Sequence, residues 1–208
     1  MFQWFLWDFD GTLFDTYPAA NAALLESLAA WGIREDPEET MARLKVRQGP
    51  AVQYFQEKHR LPEGRLFEEF RRREALLVPK SKPFPEADAL CREIVRRGGR
   101  NLLYTHRDRL ALKMMESAGL APFFSGGVTA EDGFPSKPAP DAILSLLKIH
   151  GIPPGQALMI GDRLIDVQAA QNAGIAGCWW TEKADSPEYS GIRVRSLSQL
   201  EEWLPPAP

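Results

Sequence analysis

Short apolar segments that alternate with helical patterns constrain this chain more than any other feature of its sequence. The apolar segments cover residues 2–9, 101–105, 157–161 and 175–180. Helical periodicity flanks the later ones, over residues 86–97, 109–118, 140–150 and 164–173. Such an alternation predicts a parallel sheet, because parallel neighbouring strands need a long crossover that is usually a helix. The predicted fold class is α/β, with a Rossmann-like parallel sheet as its core.

A helical block separates the first apolar segment from the second. Leucines recur in this block at helical spacing, and Asp36 followed by Pro37 is typical of a helix start. A proline-rich stretch at residues 78–85 then ends the helical block and is interpreted as a hinge. We therefore expect a core formed by residues 1–14 and 81–208, with an inserted helical cap domain over residues 15–80.

Composition narrows the classes of function. Of the 208 residues, 44% are hydrophobic and 25% are charged, which is typical of a folded globular domain and unlike a disordered chain. The net charge of -3 provides no overall positive field, so we expect neither a nucleic-acid nor a membrane partner. Cys91 and Cys178 are the two cysteines, and the apolar N-terminus has no basic leader. These features predict a reducing, cytoplasmic location without a disulfide.

Two carboxylates stand at the end of the first apolar segment. Asp8 and Asp10 are two residues apart, so both side chains leave an extended backbone on the same face, and Gly11 lets the chain turn just beyond them. In an open parallel sheet, ligands bind beyond the carboxyl ends of the strands. A solvated acidic turn would have the same composition, since Asp and Gly are common turn residues. The later segments decide between these two interpretations.

Polar residues also stand where the later strands end or the following helices begin. They are Thr105, Lys137, Asp162 and, four residues after it, Asp166. Each has an ordinary explanation as a turn, solvated or capping residue, but their joint occurrence predicts a site. Because several carboxylates together repel one another, that site needs a cation. Hard oxygen ligands favour Mg²⁺, whereas zinc is disfavoured because the sequence lacks clustered Cys and His.

In order and spacing, these motifs resemble those of the haloacid dehalogenase superfamily. The run DFDGT at residues 8–12 is similar to its first motif, Thr105 to its second, Lys137 to its third, and GDRLID, with Asp162 and Asp166, to its fourth. The resemblance covers nearly the whole chain and is to capped phosphatases of the phosphoglycolate phosphatase type. It implies a Mg²⁺-dependent phosphoric monoester hydrolase that acts on a small phosphorylated metabolite, such as phosphoglycolate or a sugar phosphate.

The resemblance further implies roles for the motif residues. Asp8 would be the nucleophile that forms an aspartyl phosphate, and Asp10 would be the general acid and base. Thr105 and Lys137 would hold the transferring phosphate oxygens. The helical cap would close over the site and exclude bulk water.

The same resemblance implies a metal site. The side chains of Asp8 and Asp162 and the backbone carbonyl of Asp10 would bind Mg²⁺, and Asp166 would support these ligands from behind. The ion would neutralise phosphate charge and orient the attack.

Four further residues are candidates for substrate binding. Gly11 and Thr12 belong to the first motif. His106 stands where the family often has Asn, and it is either a donor to the substrate or an ordinary loop histidine. Arg47 lies before Gly49 in a predicted turn between two cap helices. Its guanidinium suits an anionic substrate group, although a solvated arginine explains it at least as well.

Other functions remain open at this point. Mutases resembling β-phosphoglucomutase carry a cap histidine at the position of Ala20, which favours hydrolysis here. A dehalogenase would not need Asp10. A phosphonate hydrolase would use a cap lysine, for which Lys45 is available. A catalytically silent relative that serves as a binding or regulatory module is disfavoured because the motif side chains are all present. The oligomeric state is not predicted.

Overall fold

The computed structural model describes residues 1–181 and 189–207. Its contacts divide the chain into two compact units, one formed by Met1–Phe14 and Pro83–Pro208 and the other by Asp15–Lys82. The first unit contains the sheet, and the second is helical. Within the described residues, every helix is too short or too polar to cross a membrane.

Eight α-helices lie in the described residues. In chain order they are α1 (Tyr17–Ala29), α2 (Pro37–Val46), α3 (Gln48–Lys58), α4 (Arg65–Leu77), α5 (Pro85–Arg96), α6 (Leu110–Ser117), α7 (Asp141–His150) and α8 (Leu164–Asn172). The first four form the helical unit. Their apolar faces meet in a core of their own, in which Leu24, Phe55, Leu66 and Phe70 are fully buried.

The start of α2 agrees with the sequence, whereas the start of α3 does not. Asp36 caps α2 through its Oδ1, which accepts a hydrogen bond from the backbone N–H of Glu38 at 3.0 Å. Arg47 lies between the two helices as predicted, in an extended conformation, but Gly49 belongs to α3, which begins at Gln48, and not to the turn. Pro50 thus falls in the first turn of α3, where its missing N–H has no intrahelical partner to lose.

Six parallel strands of the described residues form the sheet. They are β1 (Trp4–Trp7), β2 (Arg100–Tyr104), β3 (Phe124–Val128), β4 (Ala157–Gly161), β5 (Ala176–Trp180) and β6 (Ile192–Val194). Their order is β3-β2-β1-β4-β5-β6, with every pairing parallel, which confirms the predicted Rossmann-like α/β fold. The sequence pattern did not predict β3, whose residues FSGGV are mostly exposed, or the three-residue β6.

The central strand fixes where the polar strand ends meet. Phe5, Leu6 and Trp7 of β1 are fully buried, as expected for a parallel strand with other elements on both faces. The register aligns Trp7 with Leu103 of β2 and with Ile160 of β4. The residues that follow these three strands therefore lie at the same edge of the sheet.

Candidate active site

Three of the predicted site residues directly follow strands of the sheet. Asp8 follows β1, Thr105 follows β2, and Asp162 follows β4. The backbone N–H of Asp8 donates to the carbonyl of Ile160 at 2.9 Å, so the hydrogen bonding of the sheet continues one residue past the end of β1. The sheet therefore holds the backbone of Asp8 rigidly next to the end of β4.

Lys137 reaches this edge from the loop before α7 and joins two carboxylates. Its Nζ lies 2.6 Å from Oδ1 of Asp8 and 2.7 Å from Oδ1 of Asp166, and it donates to the carbonyl of Tyr104 at 2.9 Å. The side chains of Lys137, Asp8 and Asp166 are all essentially inaccessible to solvent. Three acceptors match the three donors of an ammonium group, so the buried charge is fully hydrogen-bonded.

The electrostatics of the site keep the proposed nucleophile ionised. Burial by itself raises the pKa of Asp8, but the charges of Lys137 and Arg163 outweigh burial and hold that pKa below its usual range. Burial lowers the pKa of Lys137, and the neighbouring Asp166 and Asp8 more than reverse this effect, so that its pKa lies above the usual range. Burial and the charge of Asp8 raise the pKa of Asp166. Asp8 is thus a carboxylate at neutral pH.

The acidic residues form a cluster whose donor atoms fit a divalent cation. Carboxylate oxygens of Asp8, Asp162 and Asp166 all lie within 4.8 Å of one another. The buried Oδ2 of Asp8 accepts no hydrogen bond from the described residues, and Nη2 of Arg163 lies 3.9 Å from it. A buried carboxylate oxygen without a hydrogen bond is costly unless a cation occupies its free side. Hard oxygen donors of this kind suit Mg²⁺.

Neighbouring residues orient Asp162 toward this cluster. The hydroxyl of Thr12 donates to Oδ1 of Asp162 at 3.1 Å, and the indole N–H of Trp179 donates to the backbone carbonyl of Asp162 at 2.8 Å. These contacts fix both the side chain and the backbone of a metal-ligand candidate. Thr12 therefore contacts Asp162, in addition to its predicted place beside the substrate.

The carboxylate of Asp10 is directed at Arg107 and does not belong to the acidic cluster. Nε of Arg107 donates to Oδ1 and Oδ2 of Asp10 at 2.8 and 3.0 Å, and its Nη2 lies 2.7 Å from Oδ1. Both side chains are largely buried, at 7% and 19% exposure. Asp10 and Arg107 thus form a forked ion pair between the loop after β1 and the loop after β2.

The loop after β2 also holds the loop that carries Lys137. The backbone N–H of Lys137 donates to Nε2 of His106 at 2.8 Å. The hydroxyl of Thr105 accepts a hydrogen bond from the backbone N–H of Arg107 at 3.0 Å. The structure therefore gives His106 a contact with the protein itself, and its predicted contact with substrate stays a prediction.

Comparison with known proteins identifies the family. A family model described as haloacid dehalogenase-like hydrolase matches residues 2–174. The chain belongs to this family. The hydrolase is 27% identical to a phosphoglycolate phosphatase from Aquifex aeolicus, over 94% of each chain. This match confirms the predicted resemblance to the superfamily and to phosphoglycolate phosphatases, and with it the predicted enzyme class, a phosphatase-type hydrolase.

Solved structures agree with the family and the fold. A hydrolase from Streptococcus pneumoniae TIGR4 is 33% identical to this chain, with 85% of this chain and 91% of that one covered and a TM-score of 0.67. A predicted phosphoglycolate phosphatase from Haemophilus somnus is 18% identical, with 97% of each chain covered and a TM-score of 0.83. At 18% identity, the second structure supports the fold alone.

Two predicted substrate-binding residues lie in different units of this hydrolase. Gly11 belongs to the sheet unit, where it adopts a φ of +78° and its N–H donates to the carbonyl of Phe14 at 2.8 Å. This left-handed conformation is strained for residues with a side chain, which explains a glycine in the turn after Asp10. Arg47 belongs to the helical unit, and its predicted contact with substrate stays a prediction.

Sequence reasoning missed three residues that shape the site of this hydrolase. They are Arg107, Arg163 and Trp179. Arg107 and Arg163 stand next to or close to motif residues, and this proximity was the available signal. Trp179 is buried, and no feature of the sequence pattern indicates its bond to the carbonyl of Asp162.

Proposed function

We propose that this protein is a Mg²⁺-dependent phosphomonoesterase that acts on a small phosphorylated metabolite through an aspartyl phosphate on Asp8. The observation that carries the proposal is the environment of Asp8. This buried carboxylate has a lowered pKa, is paired with Lys137 through Oδ1, has an Oδ2 that accepts no hydrogen bond from the described residues, and belongs to an acidic cluster that suits a metal ion. The match to a phosphoglycolate phosphatase supports phosphoglycolate as the substrate type, and a sugar phosphate is the other type that we propose to test.

In the first step, a carboxylate oxygen of Asp8 attacks phosphorus while the bond from phosphorus to the leaving oxygen breaks. Asp10 enters this step protonated and gives its proton to the departing alkoxide, and the products are a free alcohol, phosphorylated Asp8 and ionised Asp10. The low pKa of Asp8 supports its role as nucleophile, because its ionised form predominates at neutral pH.

In the second step, water attacks phosphorus of the aspartyl phosphate. Asp10, now ionised, accepts a proton from this water, and the bond between phosphorus and Asp8 breaks. Inorganic phosphate leaves, while Asp8 returns to its carboxylate form and Asp10 is protonated again. One carboxyl group thus serves as acid in the first step and as base in the second.

The remaining residues bind and orient the phosphoryl group. Lys137 would exchange its bond to Asp8 for one to a transferring oxygen as Asp8 attacks, and the hydroxyl of Thr105 would hold another, where negative charge is concentrated in the transition state. The side chains of Asp8 and Asp162, with the carbonyl of Asp10, would hold Mg²⁺, and Asp166 would fix Lys137 behind them. When bound, the ion neutralises phosphate charge and orients the substrate for in-line attack.

Hydrolysis is favoured over phosphate transfer between sugars. Ala20, at the position where similar mutases carry a cap histidine, is a buried residue of α1 and has no acid or base group. Water is therefore the acceptor that we propose for the second step.

A panel of phosphorylated metabolites tests the proposal. We expect the purified protein with Mg²⁺ to release inorganic phosphate from at least one small phosphate monoester, and Asp8→Asn to lower that rate by about 10⁴-fold or more, because the amide is not nucleophilic. Asp88→Asn, on α5, is the matched control and should keep full activity. Absence of phosphate release across the panel, or full activity of Asp8→Asn, would contradict the proposal.

A further inference from the structure

Arg107 contacts the proposed acid Asp10 but has no part in the steps proposed above. Its guanidinium spans both carboxylate oxygens of Asp10, with Nε 2.8 and 3.0 Å from them and Nη2 2.7 Å from Oδ1. A planar guanidinium that contacts both oxygens of a carboxylate fixes the rotation of that carboxylate about the bond between Cβ and Cγ. A single ammonium donor does not fix this rotation. The pair also lies out of bulk solvent, unlike an ordinary surface ion pair.

The backbone of Arg107 is itself fixed at both of its polar groups. Its N–H donates to the hydroxyl of Thr105 at 3.0 Å, and its carbonyl accepts from the N–H of Ala130 at 3.0 Å. The guanidinium therefore extends from a rigid point of the loop after β2. Arg107 thus connects the proposed phosphate-binding hydroxyl of Thr105, which its backbone N–H contacts, with the proposed acid Asp10, which its guanidinium contacts.

We propose that Arg107 is a positioning residue for the general acid and base, and this inference rests on the function proposed above. It holds the carboxyl group of Asp10 in one orientation and at a constant distance from the phosphate-binding loop, because a protonated carboxyl can still accept hydrogen bonds from the guanidinium while it donates its own proton. Loss of this contact leaves Asp10 present but poorly aligned with the leaving oxygen, and a misplacement of about 1 Å at such a group costs about a hundredfold in rate.

The leaving group distinguishes positioning from a general structural effect. An alkoxide needs a proton in order to depart, whereas p-nitrophenolate is stable enough to leave without one. In single-turnover reactions with enzyme in excess, release of the alcohol or of nitrophenolate reports phosphorylation of Asp8. A defect in the alignment of Asp10 therefore slows release from an alkyl phosphate and spares release from p-nitrophenyl phosphate.

The experiment compares Arg107→Met and Arg107→Lys with the unmodified enzyme on glycerol 2-phosphate and p-nitrophenyl phosphate. We expect Arg107→Met to slow glycerol release by about a hundredfold and nitrophenolate release by less than about threefold, with Arg107→Lys in between. Arg97→Met is the matched control, because Nε of Arg97 also donates to a carboxylate, that of Glu93 on α5. It should leave the ratio of the two rates unchanged.

Equal slowing of both substrates, or no slowing of either, would overturn the positioning role. If Arg107→Met does not fold, Arg107→Lys in an Asp10→Asn background provides the test, since the lysine variant should have no further effect once the acid is absent. Additive effects in that double variant would also overturn the inference. Failure of the unmodified enzyme to release either leaving group would instead count against the proposed phosphatase function, so that the two failures are distinguishable.

Discussion

At the scale of single residues, the site depends on one buried cation between two buried carboxylates. Lys137 lies within 2.7 Å of both Asp8 and Asp166, and all three side chains are inaccessible to solvent. Such a group of charges is stable as long as each charge has its partners, and removal of one partner leaves the others uncompensated. The site therefore depends on Lys137 for its stability as well as for its proposed chemistry.

Lys137→Met is expected to lower the free energy of unfolding by about 3 kcal/mol in the absence of metal, because two buried carboxylates lose their common partner. Urea unfolding in the presence of EDTA measures this effect. The control is Lys148→Met on the exposed face of α7, for which we expect a change within about 0.5 kcal/mol. Equal stabilities of the two variants would show that the Lys137 contacts do not stabilise the fold.

At the scale of elements, the close approach of β4 to α8 aligns the acidic cluster. A Cβ atom on Gly161 would lie 2.3 Å from Cβ of Asp166 and 2.5 Å from its Oδ2, far inside van der Waals contact. Glycine at the end of β4 thus allows the first turn of α8 to place Asp166 against Lys137. The glycine in the run GDRLID is therefore explained by the space that its neighbours leave, and not by a backbone conformation that only glycine adopts.

Gly161→Ala is therefore expected to push Asp166 away from Lys137 and to destabilise the protein by roughly 1–3 kcal/mol, the usual cost of overpacking. The same variant should lose most of its phosphatase activity, because Lys137 is displaced with its partner. Gly155→Ala is the matched control, since a Cβ there meets no atom within 4 Å. Urea unfolding and phosphate release check both variants, and a Gly161→Ala protein as stable and active as Gly155→Ala would contradict this explanation.

Some strands and contacts of the site could be predicted from the sequence, and others could not. The strands β1, β4 and β5 were predictable because they are mostly apolar runs, and β2 because it contains the apolar run Leu102–Tyr104. β3 was not, because its residues are mostly exposed and include Gly126 and Gly127, of which Gly127 lies directly against Leu103 of β2. The meeting of Asp8, Lys137 and Asp162 at one edge followed from strand ends in a parallel sheet. The pairing of Asp10 with Arg107 did not, because it depends on the conformations of two loops 97 residues apart.

At the scale of the whole molecule, the two units have separate hydrophobic cores, and the sheet unit contains all the described members of the acidic cluster. The overall charge of -3 has no evident role, and the local arrangement of charge decides what binds. Three carboxylates within 4.8 Å of one another repel, so binding of a divalent cation should stabilise the folded protein as a whole.

We expect Mg²⁺ at a hundredfold excess over its dissociation constant to raise the free energy of unfolding by about 2.7 kcal/mol. Asp162→Asn should lose most of this gain, and in EDTA it should be at least as stable as the unmodified protein, because it removes one repelling charge. Glu116→Gln, on the exposed face of α6, should retain the full gain. Urea unfolding with Mg²⁺ and with EDTA measures both effects, and an equal response of all three proteins to Mg²⁺ would place the ion elsewhere.

Direct capture of phosphorylated Asp8 tests whether this carboxylate is the nucleophile. The Asp10→Asn variant is mixed with p-nitrophenyl phosphate, and the reaction is quenched in acid. Nitrophenolate leaves this substrate without an acid, so Asp8 can still be phosphorylated, whereas hydrolysis of the intermediate lacks its base. Mass spectrometry of the peptides then locates the phosphoryl group. We expect one phosphoryl group on Asp8 and none in an Asp8→Asn/Asp10→Asn double variant. A phosphoryl group on another residue, or turnover of this substrate without any phosphorylated peptide, would contradict this expectation.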